Sequence, residues 1–231
     1  MNDISIIIPT YNESENIENM INAIERVFSN NTINGDLVIV DDNSPDKTAA
    51  IAERMEERYG NIKVIVRTRD RGLSQSVVEG FDHCDSDTIG VIDCDFSHPP
   101  EQIPLFLKKI EEGCDVVFGT RYASEGEIRG WGAKRKLISH GATFLARLLV
   151  PRSTDPVSGF FVIDRSVVKD VVLRPRGYKI GLEILGKGNW SKYCEISYVF
   201  QDREMGSSKL GPKEIYEYIL QLFDILMYKL K

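Results

Sequence analysis

No run of about 18 apolar residues occurs anywhere in the 231-residue chain, so no segment is expected to span a bilayer. Cationic excess is also missing. Lys and Arg number 29 against 35 Asp and Glu, a formal net charge of −6, which excludes the face-wide basic surface of a nucleic-acid binder. Cys84, Cys94, Cys114 and Cys194 show neither C-x-x-C nor His-paired spacing. They predict reduced core thiols of a cytosolic protein, not zinc ligands or a disulfide framework. The first residues lead directly into an apolar run, with none of the features of a signal peptide. Repeats, low-complexity tracts and breaks in composition are absent as well. One domain over residues 1–211 is therefore expected, followed by a C-terminal amphipathic helix over 212–231. What remains is an ordinary soluble composition, 42% hydrophobic and 28% charged.

The hydrophobic pattern alternates between two periods. Short β-branched runs at residues 4–8, 37–40, 62–66, 88–92 and 115–118 predict buried strands. Between them, apolar residues recur at helical spacing. Ile17, Met20, Ile21, Ile24 and Phe28 mark the first helix, with Asn12 or Ser14 as candidate caps. Further helices are expected over 47–59, 74–83 and 101–112. This alternation predicts an α/β fold with a mostly parallel central sheet and right-handed crossovers. After Thr120 the pattern loosens. Gly126, Gly130 and Gly132 predict a mobile loop over 123–132. Helices near 133–152, 166–173 and 180–187 follow, with strands after Asp155 and near 195–200.

In a parallel sheet, ligands bind beyond the carboxyl ends of the strands. Three polar clusters fall at those ends: Pro9-Thr10-Tyr11-Asn12-Glu13, Asp41-Asp42 and Asp93-Cys94-Asp95. The last is the sharpest. Residues i and i+2 of a strand share a side, so Asp93 and Asp95 converge, and two such anions repel unless a cation lies between them. A divalent-metal site gripping a diphosphate is one reading and a solvated turn is the other. The other two clusters at the same edge favour a binding edge.

Two helices are strongly amphipathic. Residues 133–152 begin basic, with Lys134, Arg135 and Lys136, and continue apolar. Residues 213–231 carry Ile215, Ile219, Leu222, Phe223, Leu226 and Leu230 on one face, flanked by Tyr216, Tyr218 and Tyr228. Each fits either a core-facing helix or one that lies on lipid or on a membrane-bound subunit.

Taken together, these segments resemble the inverting family-2 glycosyltransferases of GT-A fold, and more narrowly the polyprenyl-phosphate (dolichyl-phosphate) mannose synthases. The resemblance is carried by Ile8-Pro9-Thr10-Tyr11-Asn12-Glu13, Val40-Asp41-Asp42-Asn43-Ser44-Pro45-Asp46, Arg71-Gly72-Leu73-Ser74 and Asp93-Cys94-Asp95 with His98-Pro99-Pro100-Glu101. It continues through Gly119-Thr120-Arg121-Tyr122, Lys134-Arg135-Lys136-Leu137-Ile138-Ser139 and Asp155-Pro156-Val157-Ser158-Gly159-Phe160-Phe161. The last matching pieces are Gly177-Tyr178-Lys179-Ile180 and Gly206-Ser207-Ser208-Lys209-Leu210, so it covers about residues 4–211.

The resemblance implies that Pro9, Tyr11, Glu13 and Asp42 hold the nucleoside. It implies that Asp93 and Asp95 present Mg²⁺ or Mn²⁺ to the donor diphosphate. Ser97 stands where relatives often carry Gln, a weaker ligand. Arg203 and Lys209 fall where the family supplies cations to the diphosphate, in a segment that closes over the donor. Arg121, Arg135 and Ser139 match the positions that hold the acceptor phosphate. A lipid monophosphate is already an oxyanion at neutral pH, its second pKa being near about 6. It needs fixed cations more than a general base, and one displacement inverts the anomeric centre. Implied partners are GDP-mannose, a polyprenyl or dolichyl phosphate, a membrane surface on its cytosolic face and small membrane subunits. A UDP-glucose donor with the same acceptor class, and a non-catalytic scaffold of the same fold, are the alternatives.

Overall fold

The computed structural model describes residues 3–201 and 211–230. Its first half is a regular succession of β1 (Ile4–Thr10), α1 (Ile17–Asn31), β2 (Gly35–Asp41), α2 (Thr48–Tyr59), β3 (Ile62–Val66), α3 (Leu73–Phe81) and β4 (Thr88–Val91). The second half comprises α4 (Ile103–Glu111), β5 (Val116–Thr120), β6 (Glu127–Arg129), α5 (Ala133–Leu149), β7 (Phe161–Asp164), α6 (Ile180–Lys187), β8 (Tyr193–Ser197), β9 (Val199–Gln201) and α7 (Pro212–Lys229). The chain is thus mixed α/β, as expected.

Seven strands form the main sheet in the order β3-β2-β1-β4-β7-β5-β8. All are parallel except β7, which runs antiparallel to both β4 and β5. The continuous apolar runs follow from cover on both faces. Ile4, Ile6 and Ile8 of β1 pack in a cluster with Met20, Ile24 and Phe106, whereas Ile7 belongs to the opposite cluster with Val77 and Ile184. The same period-2 split separates Val162 from Phe161 and Ile163 on β7. At Gly80 on α3 an added Cβ would lie 2.8 Å from the Ile7 side chain, so the helix lies flush on β1 because it has no side chain there.

Four expectations change. Cys114 and Cys194 are disulfide-bonded, with their Cα atoms 6.1 Å apart, so the reading of four reduced thiols holds only for Cys84 and Cys94, which are free and buried. The bridge forms because parallel pairing of β5 with β8 brings Cys114, two residues before β5, close to Cys194, the second residue of β8, a proximity that spacing in sequence does not reveal. Residues 166–173 do not form an α-helix. A 3-10 turn, Arg165–Val167, is followed by Asp170 at φ +63°, a conformation that breaks helical continuity. The 123–132 segment is not only loop, since β6 pairs in parallel with β9. Helix α1 begins at Ile17, and neither Asn12 nor Ser14 caps it. Asn12 adopts φ +60°, and the N-cap residue Asn16 makes no side-chain cap bond.

Helices α5 and α7 lie together. The Tyr218 hydroxyl donates to the Ala142 carbonyl and the Lys229 ammonium to the Leu149 carbonyl. Their outer faces are apolar: Leu137 is 74% exposed and Phe144 65% on α5, and Tyr216 is 61% exposed and Phe223 58% on α7.

Candidate active site

A cleft of about 540 Å³ opens at the carboxyl edge of the sheet. Pro9, Tyr11, Glu13, Asp42, Asp93, Asp95 and Ser97 all line it. Arg121, Arg135 and Ser139 line it too, from the other half of the chain. Arg203 and Lys209, expected to supply cations to the diphosphate, lie outside the described residues.

The loops after β1 and β2 are stitched to each other. The backbone N–H groups of Asn12, Glu13 and Ser14 donate to Ser44 Oγ, Thr48 Oγ1 and Asp46 Oδ2 at 3.0, 2.9 and 3.0 Å. Asn12 and Asn43 both take left-handed conformations, which Asn tolerates better than most residues. Asp42 is 5% exposed, and its carboxylate is heavily engaged. Oδ1 accepts from Arg67 Nη1 at 2.6 Å and Ser76 Oγ at 3.0 Å, while Oδ2 accepts from the Gly72 N–H at 2.6 Å. Gly72 has φ +154°, a conformation reserved for glycine, and this lets its N–H reach the carboxylate at the start of α3. Arg71 donates from Nε to the Asp42 carbonyl at 2.7 Å and lies 5.1 Å from the Tyr11 ring centroid. Asp42 therefore organises the wall through Arg67 and Gly72. The sequence did not announce Arg67, whose partner lies 25 residues away.

Strand β4 ends at Val91, so Asp93 and Asp95 leave the strand before they turn to the cleft, both half-buried. Phe96 between Asp95 and Ser97 has φ +58°, and the Ser97 N–H donates to Asp95 Oδ1 at 3.1 Å. Such strain in a bulky residue is found where the surroundings over-determine the backbone. Ser97 is 2% exposed. His98 is equally buried, stacked 5.3 Å from Phe160, and its Nδ1 accepts from the Asp93 N–H at 3.2 Å. Burial lowers its pKa to about 3, with Asp95 pulling the other way and Arg121 adding to the depression. His98 is thus a neutral imidazole that fixes the Asp93 backbone, a role with no signal in the sequence beyond its place in the motif. The Cys94 thiol is pushed well up by burial and then by Glu13, so it stays protonated.

Arg121 follows β5 and is 7% exposed, not a surface residue. Nε and Nη2 grip Asp155 at 2.6 and 2.9 Å. Burial opposes the guanidinium charge, but the Asp155 carboxylate outweighs it and raises the Arg121 pKa. Trp131 and Phe200 rings lie 5.5 Å from the same guanidinium. Arg135, half-buried on the first turn of α5, stacks 4.2 Å from the Trp131 centroid. Ser139 Oγ lies 2.9 Å from the Tyr122 hydroxyl. Asp155 is held from behind by its neighbour: Thr154 donates from N and Oγ1 to Glu195 at 2.6 and 2.7 Å. Glu195 on β8 is a supporting residue with no distinguishing signal in the sequence.

The arrangement combines a carboxylate pair with buried and half-buried cations on two sides of one cleft, suited to holding several phosphates together. Residues 5–172 match the profile described as Glycosyl transferase family 2. The chain belongs to that family. A protein named dolichol-phosphate mannosyltransferase from Pyrococcus furiosus is 41% identical over 98% of this chain, which spans 64% of that protein's length. A second, from Mycosarcoma maydis, is 33% identical over 97% of this chain and 79% of its own length. A third, from Saccharomyces cerevisiae, is 32% identical over 97% of this chain and 87% of its own. Among solved structures, glucosyl-3-phosphoglycerate synthase from Mycobacterium tuberculosis in complex with Mn²⁺, UDP-glucose and phosphoglyceric acid has a TM-score of 0.71 and 18% identity. That match covers 98% of this chain and 79% of that one. The same synthase with UDP gives a TM-score of 0.72 at 18% identity, covering 97% and 80%. These two show the GT-A fold of this family member.

Proposed function

We propose that this chain transfers mannose from GDP-mannose to a polyprenyl or dolichyl monophosphate, inverting the anomeric centre. The names of its relatives support the acceptor and the sugar. The observation that carries the reading is that Arg121 and Arg135 line the same cleft as Asp93 and Asp95. An acceptor alcohol calls for a general base; an acceptor phosphate calls for cations, and these are what the far wall holds.

The residues fit a hard divalent ion, Mg²⁺ or Mn²⁺. Asp93, Asp95 and Ser97 offer oxygen donors, and the one soft group between them, Cys94, keeps its proton. Among the described residues no set of three or more His, Cys, Asp or Glu side chains makes a complete cage, so diphosphate oxygens and water would finish the coordination. When bound, the ion neutralises charge that gathers on the departing nucleotide. Tyr11, Glu13 and the Asp42-organised wall hold the nucleoside. Arg121, Arg135 and Ser139 hold the acceptor oxyanion for in-line attack, which forms one C–O bond as the bond to the diphosphate breaks. Asp93 and Asp95 do not act as a proton-transferring pair.

Ile138 and Ala142 of α5 line the cleft, and the same helix exposes Leu137, Phe144, Leu145 and Leu148. No described helix is long and apolar enough to cross a membrane. The α5–α7 face is therefore read as resting peripherally on the cytosolic leaflet, where the lipid phosphate is within reach. The test is incubation with polyprenyl phosphate, Mg²⁺ and either GDP-mannose or UDP-glucose. Labelled lipid from GDP-mannose is expected; incorporation from UDP-glucose alone would overturn the donor. Asp95→Ala is expected to abolish thermal stabilisation by GDP with Mn²⁺.

A further inference from the structure

Two lysines eight positions apart are treated differently by the fold. Lys187 on α6 is buried and paired, with Glu183 Oε1 at 2.6 Å. Lys179, the residue before α6, is pulled inward without a carboxylate at ion-pair distance among the described residues. Its ammonium donates to the Val157 carbonyl at 3.0 Å. An ammonium has three donors, and one bond to a neutral carbonyl leaves its charge uncompensated. The side chain lines the same cleft as Asp93, Arg121 and Arg135.

The surroundings sharpen this. Burial lowers the Lys179 pKa to about 8, and repulsion from Arg121 adds to it, while Asp155 and Asp93 draw it back. Arg121 shares its charge with Asp155, to which its Nε and Nη2 are bonded, so a phosphate beside it calls for a further cation. Lys179 is half-buried, and drawing a cation even partly out of water without a paired carboxylate is costly, a cost that an anionic ligand in the cleft would relieve. The position is also deliberately fixed. Gln221 of α7, itself 2% exposed, donates from Nε2 to the Lys179 carbonyl at 2.9 Å. Val157, whose carbonyl takes the Lys179 ammonium, lies two residues after Asp155, the carboxylate that grips Arg121. Lys179 is thereby tied to the segment that carries the acceptor side of the cleft.

We propose that Lys179 binds the acceptor phosphate directly, its ammonium reaching an oxygen beside Arg121 and Arg135. The proposal rests on the polyprenyl-phosphate reading above. Farnesyl phosphate serves as a soluble acceptor probe. Lys179→Gln is expected to raise the KM for farnesyl phosphate tenfold or more, with thermal stabilisation by GDP and Mn²⁺ retained and partial rescue in Lys179→Arg. An unchanged acceptor KM would overturn it, as would a rise confined to the KM for GDP-mannose. A second measurement needs no variant. Amine acylation of the intact protein, read by mass spectrometry, is expected to slow severalfold at Lys179 with farnesyl phosphate but not with GDP and Mn²⁺. Equal labelling would count against it even if Lys179→Gln failed to fold. A wild-type protein that binds GDP but transfers sugar to no prenyl phosphate would instead remove the acceptor reading itself, and this proposal with it.

Discussion

Asp155 closes on Arg121 through three hydrogen bonds, from the Nε, Nη2 and backbone N–H of the arginine, with both side chains withdrawn from water. Removing one partner of such a pair leaves a buried charge. Asp155→Ala is expected to destabilise the fold by about 3–5 kcal/mol, measured by urea denaturation, and to abolish transfer. Asp155→Asn keeps one acceptor oxygen and is expected to lose less stability. A loss under about 1 kcal/mol for the alanine variant would show that the pair is not structurally coupled to the core.

Asp42 gives a contrasting case. Its oxygens are occupied by Arg67, Ser76 and Gly72, so its contribution to nucleotide binding passes through the wall it organises. Asp42→Asn is expected to leave the protein folded but to cut the thermal shift given by GDP and Mn²⁺ by more than half. Arg67→Met is expected to reproduce much of that loss, although Arg67 does not line the cleft.

The neutral His98 makes stability depend on acid. Its pKa falls from 6.5 in the unfolded chain to about 3 in the fold, chiefly through burial. Between these values the unfolded state binds the extra proton. The contribution is therefore complete above about pH 6.5 and is lost as pH falls toward 3. The midpoint of thermal unfolding is expected to drop progressively across that window. His98→Asn keeps an acceptor for the Asp93 N–H but does not titrate, and it is expected to flatten the drop.

The exposed face of α5 and α7 is testable on its own. Phe144, Leu148 and Phe223 are 65%, 66% and 58% exposed, so replacing them disturbs no core. Each gives on the order of 1.5–3 kcal/mol when fully withdrawn from water. The triple variant Phe144→Glu, Leu148→Glu, Phe223→Glu is expected to lose at least tenfold in binding to phosphatidylcholine–phosphatidylglycerol vesicles by co-sedimentation. Its unfolding temperature and its GDP-dependent thermal shift are expected to match the wild type. Unchanged vesicle binding would rule out this face as the contact.

Much of the first half was legible because each buried strand is a continuous β-branched run and each polar cluster interrupts one at its end. Residues 62–66 and 180–187 have the predicted bounds, since apolar runs there stop abruptly at polar or glycine residues. Some failures are local, such as the helix expected over 166–173, which Asp170 interrupts at φ +63°; the others depend on what the fold brings together across long separations. The Cys114–Cys194 bridge spans 80 residues, and the Glu195 support of Thr154 spans 41. Nor does local spacing say that Arg121 would be buried, because its counter-ion lies 34 residues on. Even Asp93 and Asp95 share the cleft for a reason other than strand alternation, since both lie beyond β4.

The reversed strand β7 acts as a gauge block. Val91 of β4 and Phe118 of β5 are both in register with Phe161, one on each side. Asp93 lies two residues past the first and Arg121 three past the second. The ends of β4 and β5, from which the carboxylates and the arginine extend, are therefore held two interstrand spacings apart, roughly 10 Å. A backbone repeat sets how far apart the two strand ends stand from which the walls of the cleft extend. Insertions in the connecting loops would alter which molecules enter without changing that separation.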